Sequence, residues 1–168
     1  HECVMFDQAN PETPNEVIVE EIKKRKPALV GLSFLSTTSY PYAKILARQI
    51  RAADTHVKLA FGGVFASLNA PLVKQQCPEV DFVCRGDGEQ LILDLLEHLD
   101  DPSSVASLTW QKEGKVISNP NRPPERNLDQ WPFPDRESLP LDFIESMPLD
   151  VPAVLSMERF TTMQTSRG

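Results

Sequence analysis

The sequence predicts a three-layer α/β domain built on a parallel sheet, and three observations support this fold class. Short apolar runs alternate with longer helical patterns over residues 1–104, which is typical of βαβ units. Residues 28–33 are apolar at nearly every position, as expected for a strand covered on both faces. The glycine turns Gly62-Gly63 and Gly86-Asp87-Gly88 follow two later apolar runs. We therefore expect a Rossmann-like (flavodoxin-like) sheet with helices on both faces.

Each element of this domain is predicted from a local pattern. Strands are expected where short apolar runs occur, at residues 3–6, 28–33, 57–61 and 80–84. Helices are expected where apolar residues recur every three or four positions, at residues 15–25, 42–53, 71–76 and 90–99. The alternation predicts that all four strands run parallel and end at Asp7, Ser33, Gly62 and Arg85.

Two further segments follow the α/β domain. Residues 105–118 are predicted to form a hairpin around Glu113-Gly114, with Trp110 as a packing residue. Residues 119–168 are rich in proline, which is unsuited to a regular helix or a central strand. We expect this segment to be a strap, or connector, that lies across a surface and leads to another domain.

Composition and charge exclude several classes of function. The net charge of −7 would repel a phosphate backbone, so nucleic acid is not an expected partner. No apolar run is long enough to span a membrane. Three cysteines without a CxxC spacing predict neither a disulfide framework nor a metal site, which favours a reducing cytoplasm. No catalytic or metal-ligating residue is predicted, because His56 and His98 are expected at the surface.

The loops that follow the predicted strands are the expected ligand site. In an open parallel sheet, ligands bind where the carboxyl ends of the strands meet loops and helix N-termini. Residues 33–39 offer hydroxyls, and residues 62–69 and 85–89 offer glycines that let a ligand approach the backbone. The same residues also suit ordinary turns and helix caps. For Asp7, a ligand contact and a capping role before Asn10-Pro11 are both open.

One short motif resembles a known cofactor family. Ser33-Phe34-Leu35 is followed after 26 residues by Gly62-Gly63. This resembles the Ser-x-Leu and Gly-Gly pair of the cobalamin-binding domains in B12-dependent methyltransferases and mutases. The resemblance implies that the serine and the two glycines line the slot for the dimethylbenzimidazole tail of cobalamin.

A broader resemblance covers nearly the whole chain. The motifs Val30-Gly31-Leu32-Ser33, Phe61-Gly62-Gly63-Val64 and Gly86-Asp87-Gly88-Glu89 are similar, in this order, to the N-terminal domain of cobalamin-dependent radical S-adenosylmethionine (SAM) enzymes. Asp87 stands where that family usually has glutamate. Residues 127–134 resemble the family's strap, and residues 163–168 resemble the strand before its cluster-binding CxxxCxxC loop. The anaerobic magnesium-protoporphyrin IX monomethyl ester oxidative cyclases and the bacteriochlorophyll methyltransferases look most similar.

The resemblance also implies cofactors and partners. Cobalamin would bind this chain, whereas a 4Fe–4S cluster and SAM would bind a C-terminal radical SAM domain of the same protein, past Gly168. That domain and a small-molecule substrate, a tetrapyrrole in the similar enzymes, are the implied partners. The cofactor-binding residues predicted from the loops and the resemblance are Asp7, Ser33, Phe34, Leu35, Ser36, Thr37, Thr38, Gly62, Gly63, Val64, Gly86, Asp87, Gly88 and Glu89.

Two features of the family would lie upstream of residue 1. One is the Asp-x-His-x-x-Gly motif, whose histidine replaces the lower axial ligand of the cobalt in many members. The other is the family's first strand, so the sheet is expected to lack a normally central strand. An alternative follows, in which the domain keeps the fold, has lost cobalamin and serves as a scaffold for the catalytic barrel. Phe34 or Phe65 in the corrin slot would favour this alternative.

Overall fold

A computed structural model describes residues 2–8 and 10–133 of the chain. The expected strand at residues 163–168 and the strap after residue 133 lie outside the described residues. The domain boundaries 1–104, 105–118 and 119–168 stay a prediction. In the described part of the chain, no helix is long and apolar enough to cross a membrane.

Over residues 2–8 and 10–133, the sheet has five strands whose spatial order equals their order in the chain. Strands β1, β2 and β3 are parallel, whereas β4 and β5 are antiparallel to their neighbours. The strands are β1 Leu29–Ser33, β2 Lys58–Gly62, β3 Phe82–Cys84, β4 Leu108–Lys112 and β5 Lys115–Ser118. The helices are α1 Asn15–Arg25, α2 Tyr40–Ala53, α3 Val64–Leu68, α4 Ala70–Gln76 and α5 Glu89–Glu97. Two 3-10 helices cover Pro102–Ser104 and Leu128–Gln130.

The two faces of the sheet bury two separate clusters of side chains. Leu59 and Phe61 of β2 pack on one face with α1, α2 and α4, whereas Ala60, between them, packs on the other face with α5. Successive residues of a strand point to opposite faces, so this division follows from the strand geometry. The three-layer α/β prediction is therefore confirmed.

The predicted first strand, residues 3–6, is wrong. These residues form no strand, and their side chains are largely exposed, with Met5 at 64%. A strand is stabilised by ladder hydrogen bonds and by burial of a face. Within the described residues, β1 pairs only with β2, so residues 3–6 have neither. Only Phe6 packs against the core.

The β4–β5 hairpin agrees with the sequence pattern. Glu113 and Gly114 both have positive φ angles, 51° and 79°, as a two-residue turn of type I′ requires. The register pairs Lys112 with Lys115 and Thr109 with Ser118. The hairpin extends the sheet beyond β3, where Cys84 pairs with Leu108.

Arg51 fixes the opposite, amino edge of the sheet. Its guanidinium donates hydrogen bonds to the carbonyls of Thr55, Val57 and Glu79 and to the Asp81 carboxylate, the last at 2.7 Å. The same Asp81 oxygen accepts the Leu59 N–H at 2.8 Å. One side chain of α2 thus holds the starts of β2 and β3 together.

Asn119, the first residue after β5, is buried against the domain. Its amide donates to the carbonyls of Pro102 and Val105 at 2.7 and 2.8 Å, and its side-chain oxygen accepts the Trp110 indole N–H at 3.1 Å. The start of the proline-rich segment is therefore docked on the domain, not free in solvent.

Candidate cofactor site at the carboxyl edge of the sheet

Three loops leave the sheet at one edge because β1, β2 and β3 run in the same direction. Ser33 and Gly62, the last residues of β1 and β2, are paired in the ladder. The Phe34 N–H continues the pairing by donating to the Gly62 carbonyl at 3.2 Å. The structure thus brings the Ser-x-Leu and Gly-Gly motifs side by side, as ligand binding at a strand edge requires.

The loop after β1 divides its residues between solvent and core. Ser33, Leu35 and Thr37 are exposed. The hydroxyl of Ser36 is hydrogen-bonded to the hydroxyl of Thr38 at 2.7 Å and to that of Ser39 at 2.9 Å. Local bonding therefore occupies Ser36 and Thr38, while Ser33 is turned outward at the strand end.

Phe34 is the buried residue of this loop. Its ring packs on Tyr40, Phe61 and Phe65, with centroids 5.6, 5.1 and 6.1 Å away. These aromatic rings belong to the core cluster under the loops or pack against it. Only the backbone of Phe34 is then available to a ligand at the edge.

Gly62 and Gly63 differ in what surrounds them. A Cβ added to Gly63 would lie 2.2 Å from the Phe34 carbonyl oxygen, and the φ of Gly63 is +91°. Residue 63 must therefore be glycine for the loops to pack. A Cβ added to Gly62 would have no atom within 4 Å, so space for a ligand exists at Gly62.

The turn after β3 is open in the same way. Gly86 has a φ of +77°, and a Cβ added to Gly86 or Gly88 would meet nothing within 4 Å. Asp87 is exposed, and Glu89 lies in the first turn of α5. The space at Gly86 and Gly88 leaves the backbone of this turn open to close approach.

Ser67 connects the two glycine turns, although the sequence analysis did not single it out. Its hydroxyl donates to the Gly63 carbonyl and accepts the Gly86 N–H, at 2.9 and 3.0 Å. The first bond is a common i to i−4 contact of serine in a helix. That spacing after Gly63 was visible in the sequence, but the contact with Gly86 was not.

Asp7 lies in the loop before α1. Its backbone carbonyl accepts hydrogen bonds from the Asn10 N–H and the Thr13 hydroxyl. The N-cap of α1 is Pro14, with no side-chain capping bond, and the ligand contact and the capping role of Asp7 both stay predictions. An open cleft of about 370 Å³ lies beside this loop, lined by residues that include Gln8, Asn10 and Tyr42.

Large apolar side chains surround the loops. Leu35, Val64 and Leu68 are exposed, Leu68 at 78%. All three belong to the loops and short helix that follow β1 and β2. Large apolar side chains that remain exposed are often found on a surface that binds a ligand or a partner.

Comparison with known proteins decides the family. Residues 1–96 match the sequence model of the B12 binding domain. The chain belongs to the B12-binding domain family. It is 30% identical over 146 residues to an uncharacterized methyltransferase of Pyrococcus horikoshii, covering 84% of this chain and 31% of that protein. It is 24% identical to an anaerobic magnesium-protoporphyrin IX monomethyl ester cyclase of Rubrivivax gelatinosus, covering 77% of this chain and 24% of the cyclase.

A solved structure shares the fold. The radical SAM methyltransferase TsrM of Kitasatospora setae, solved with cobalamin and a 4Fe–4S cluster bound, superposes with a TM-score of 0.56 at 16% identity. The match covers 64% of this chain and 21% of that one. This B12-binding domain therefore spans about a third or less of the length of the relatives it matches. The family match does not favour the alternative of a scaffold that has lost cobalamin.

Burial shifts the pKa of two neighbouring side chains at the end of β3. Burial raises the pKa of the Cys84 thiol, at the end of β3, to about 12, so it is a neutral thiol at physiological pH. Burial also lowers the pKa of Arg85. In residues 2–8 and 10–133, no three His, Cys, Asp or Glu side chains group closely enough to hold a metal ion.

Proposed function

We propose that this B12-binding domain holds cobalamin for a B12-dependent radical SAM enzyme, with the cofactor at the carboxyl edge of the sheet. The observation that carries the proposal is the pairing of Ser33 with Gly62 at that edge, together with the open space at Gly62, Gly86 and Gly88. These residues fit a large cofactor with a polar tail. The backbone at Gly62, Gly86 and Gly88 and the hydroxyl of Ser33 all lie at the same edge of the sheet.

The residues of the chain would bind and orient the cofactor. Gly62, Gly86 and Gly88 allow the ligand to approach the backbone. The Ser33 hydroxyl can donate or accept a hydrogen bond at the end of β1. Leu35 and Leu68 would cover apolar surface of the ligand. Cobalamin, when bound, supplies the methyl or radical chemistry, and the protein supplies position.

The finer assignment concerns the whole enzyme. The proline-rich segment would lead to a radical SAM domain that carries the 4Fe–4S cluster and SAM, in a cytoplasmic enzyme that acts on a tetrapyrrole. Two relatives that are anaerobic magnesium-protoporphyrin IX monomethyl ester cyclases support a cyclase, at 24% and 26% identity. The two methyltransferase relatives support the other reaction of this class.

A titration with hydroxocobalamin tests the binding role in the natural protein that carries this chain. Gly62→Val should weaken binding at least about tenfold, because the added side chain fills the space at the strand end. Lys115→Val is the matched control. It places valine at an exposed strand position at the amino edge of the sheet, away from the candidate site. Its affinity for hydroxocobalamin should equal that of the unaltered protein.

The outcomes separate the site from the function. Equal affinities for Gly62→Val and Lys115→Val would remove Gly62 from the site. An unaltered protein that binds no hydroxocobalamin would refute the proposed function as a whole.

A further inference from the structure

The hydrogen bonds of Ser67 begin a continuous chain of contacts that leads out of the candidate site. As described, its hydroxyl contacts the Gly63 carbonyl and the Gly86 N–H. Arg85 is the residue before Gly86, and its N–H donates to the Ser107 carbonyl at 2.9 Å. The two glycine turns are thus tied to the residue just before β4.

Ser107 carries the contacts onward to the proline-rich segment. Its N–H donates to the Pro120 carbonyl at 2.8 Å, and its hydroxyl accepts the Arg122 N–H at 2.8 Å. The Arg85 guanidinium reinforces the same junction by donating to the carbonyls of Leu108 and Asn119. Backbone groups of residues 119–122 are therefore held by the residues that adjoin the Gly86 turn.

The backbone of Ser107 is unusual for a non-glycine residue. Its φ is +62° while its side chain is only 6% exposed. Residues other than glycine rarely adopt this conformation, and it persists where the surrounding contacts over-determine it. The N–H, carbonyl and hydroxyl of Ser107 each have a partner, so the strained residue is held from three sides.

We propose that Ser67 is a positioning residue that couples the two glycine turns to the start of the proline-rich segment through Ser107. The role of cobalamin in this coupling rests on the proposed function above. A ligand against the backbone of Gly62 and Gly86 orders the Gly86 turn only while the Ser67 hydroxyl ties that turn to Gly63. The Arg85 N–H then passes this order to Ser107 through its hydrogen bond to the Ser107 carbonyl. The segment at Pro120 and Arg122 then responds to whether the cofactor is bound.

Amide hydrogen exchange at single residues tests the coupling in the natural protein that carries this chain. Without ligand, Ser67→Ala should speed exchange of the Gly86, Ser107 and Arg122 N–H groups by about fivefold, as expected for the loss of one hydrogen bond that the others depend on. Ser67→Thr keeps the hydroxyl and should restore slow exchange. Ser104→Ala, which removes an exposed hydroxyl of the 3-10 helix, is the matched control and should change none of the three.

A second arm adds saturating hydroxocobalamin. Exchange of the Ser107 and Arg122 N–H groups should slow in the unaltered protein and in Ser67→Thr. It should not slow in Ser67→Ala, even where absorbance shows the cofactor bound. A role of Ser67 in stability alone would leave this ligand response intact.

Each result decides a separate statement. Bound cofactor with unchanged exchange at Arg122, or a ligand response that survives in Ser67→Ala, overturns the coupling and leaves the proposed function standing. If hydroxocobalamin does not bind, the proposed function fails, and the ligand-free arm alone decides the coupling. In that case, faster exchange in Ser67→Ala at the Gly86 N–H alone would overturn the coupling. Faster exchange that extends to the Arg122 N–H would support it.

Discussion

The two adjacent glycines at the end of β2 should respond differently to the same small substitution. Gly63→Ala places a methyl group 2.2 Å from the Phe34 carbonyl oxygen and 2.9 Å from the Phe34 nitrogen. It also forces alanine to a φ of +91°. Gly63 combines this φ with a ψ of 175°, a backbone region that is nearly restricted to glycine and costs another residue about 1–3 kcal/mol. Moving the backbone of Phe34 away costs about 1–3 kcal/mol more, as other overpacked sites do.

We therefore expect Gly63→Ala to lower the free energy of unfolding by about 2–6 kcal/mol. Gly62→Ala is the control, because its new methyl group meets nothing within 4 Å and its φ is not in the left-handed region. Its effect should stay within about 0.5 kcal/mol. Urea denaturation followed by circular dichroism measures both values.

The reasoning would be refuted if the two alanine variants were equally stable. In that case the contact between Gly63 and Phe34 would not constrain the loops, and Gly63 would regain the role of a ligand-approach residue that the sequence motif implies. If only Gly63→Ala loses stability, substitutions at Gly62 can test ligand binding without unfolding the domain.

Three further outcomes are expected. Lys74→Met should raise the free energy of unfolding by about 1–2 kcal/mol at pH 7. Lys74 is 3% exposed, and among the described residues its ammonium donates a hydrogen bond only to the Gln111 amide oxygen, at 3.4 Å. Burial lowers the pKa of Lys74, so stability of the unaltered protein rises as pH passes that pKa toward 10.5, and the advantage of Lys74→Met in denaturation curves should shrink. Iodoacetamide at pH 8 should label the exposed Cys3 and spare Cys77 and Cys84 in the folded protein, because burial raises the pKa of each of these two thiols to about 12. Mass spectrometry reads the labelled residues, and labelling of all three cysteines would contradict this expectation. Asn119→Ala leaves two carbonyls and an indole N–H without their partner and should cost about 1–3 kcal/mol in thermal unfolding, and a cost near zero would show that Asn119 does not fasten the segment.

The sequence predicted the parallel strands β1, β2 and β3 because apolar runs and glycine turns are local signals. It failed for residues 3–6, since an apolar run does not reveal whether a neighbouring strand is within reach. It also missed α3, a helix of five residues that is too short to show a 3.6-residue period.

The candidate site was predictable in place and less so in detail. The order of strands puts the three loops at one edge, so their positions followed from the chain. The different roles of Gly62 and Gly63 depend on a backbone angle and on the distance to Phe34, which no spacing encodes. The bridging role of Ser67 depends on a contact between α3 and the Gly86 turn. Ser67 and Gly86 are 19 residues apart in the chain, so no local pattern reveals that contact.

The sequential strand order bears on how the domain is made. Within the described residues, each strand from β2 to β5 pairs with the strand just before it in the chain, so the sheet can grow by addition at one side as the polypeptide leaves the ribosome. Such nearby pairings keep the closed loops short, which lowers the entropy lost at each step and speeds folding. The β4–β5 hairpin is added last, and Asn119 can bind the Pro102 and Val105 carbonyls only after it has formed. Docking of Asn119 would then report that the hairpin has formed.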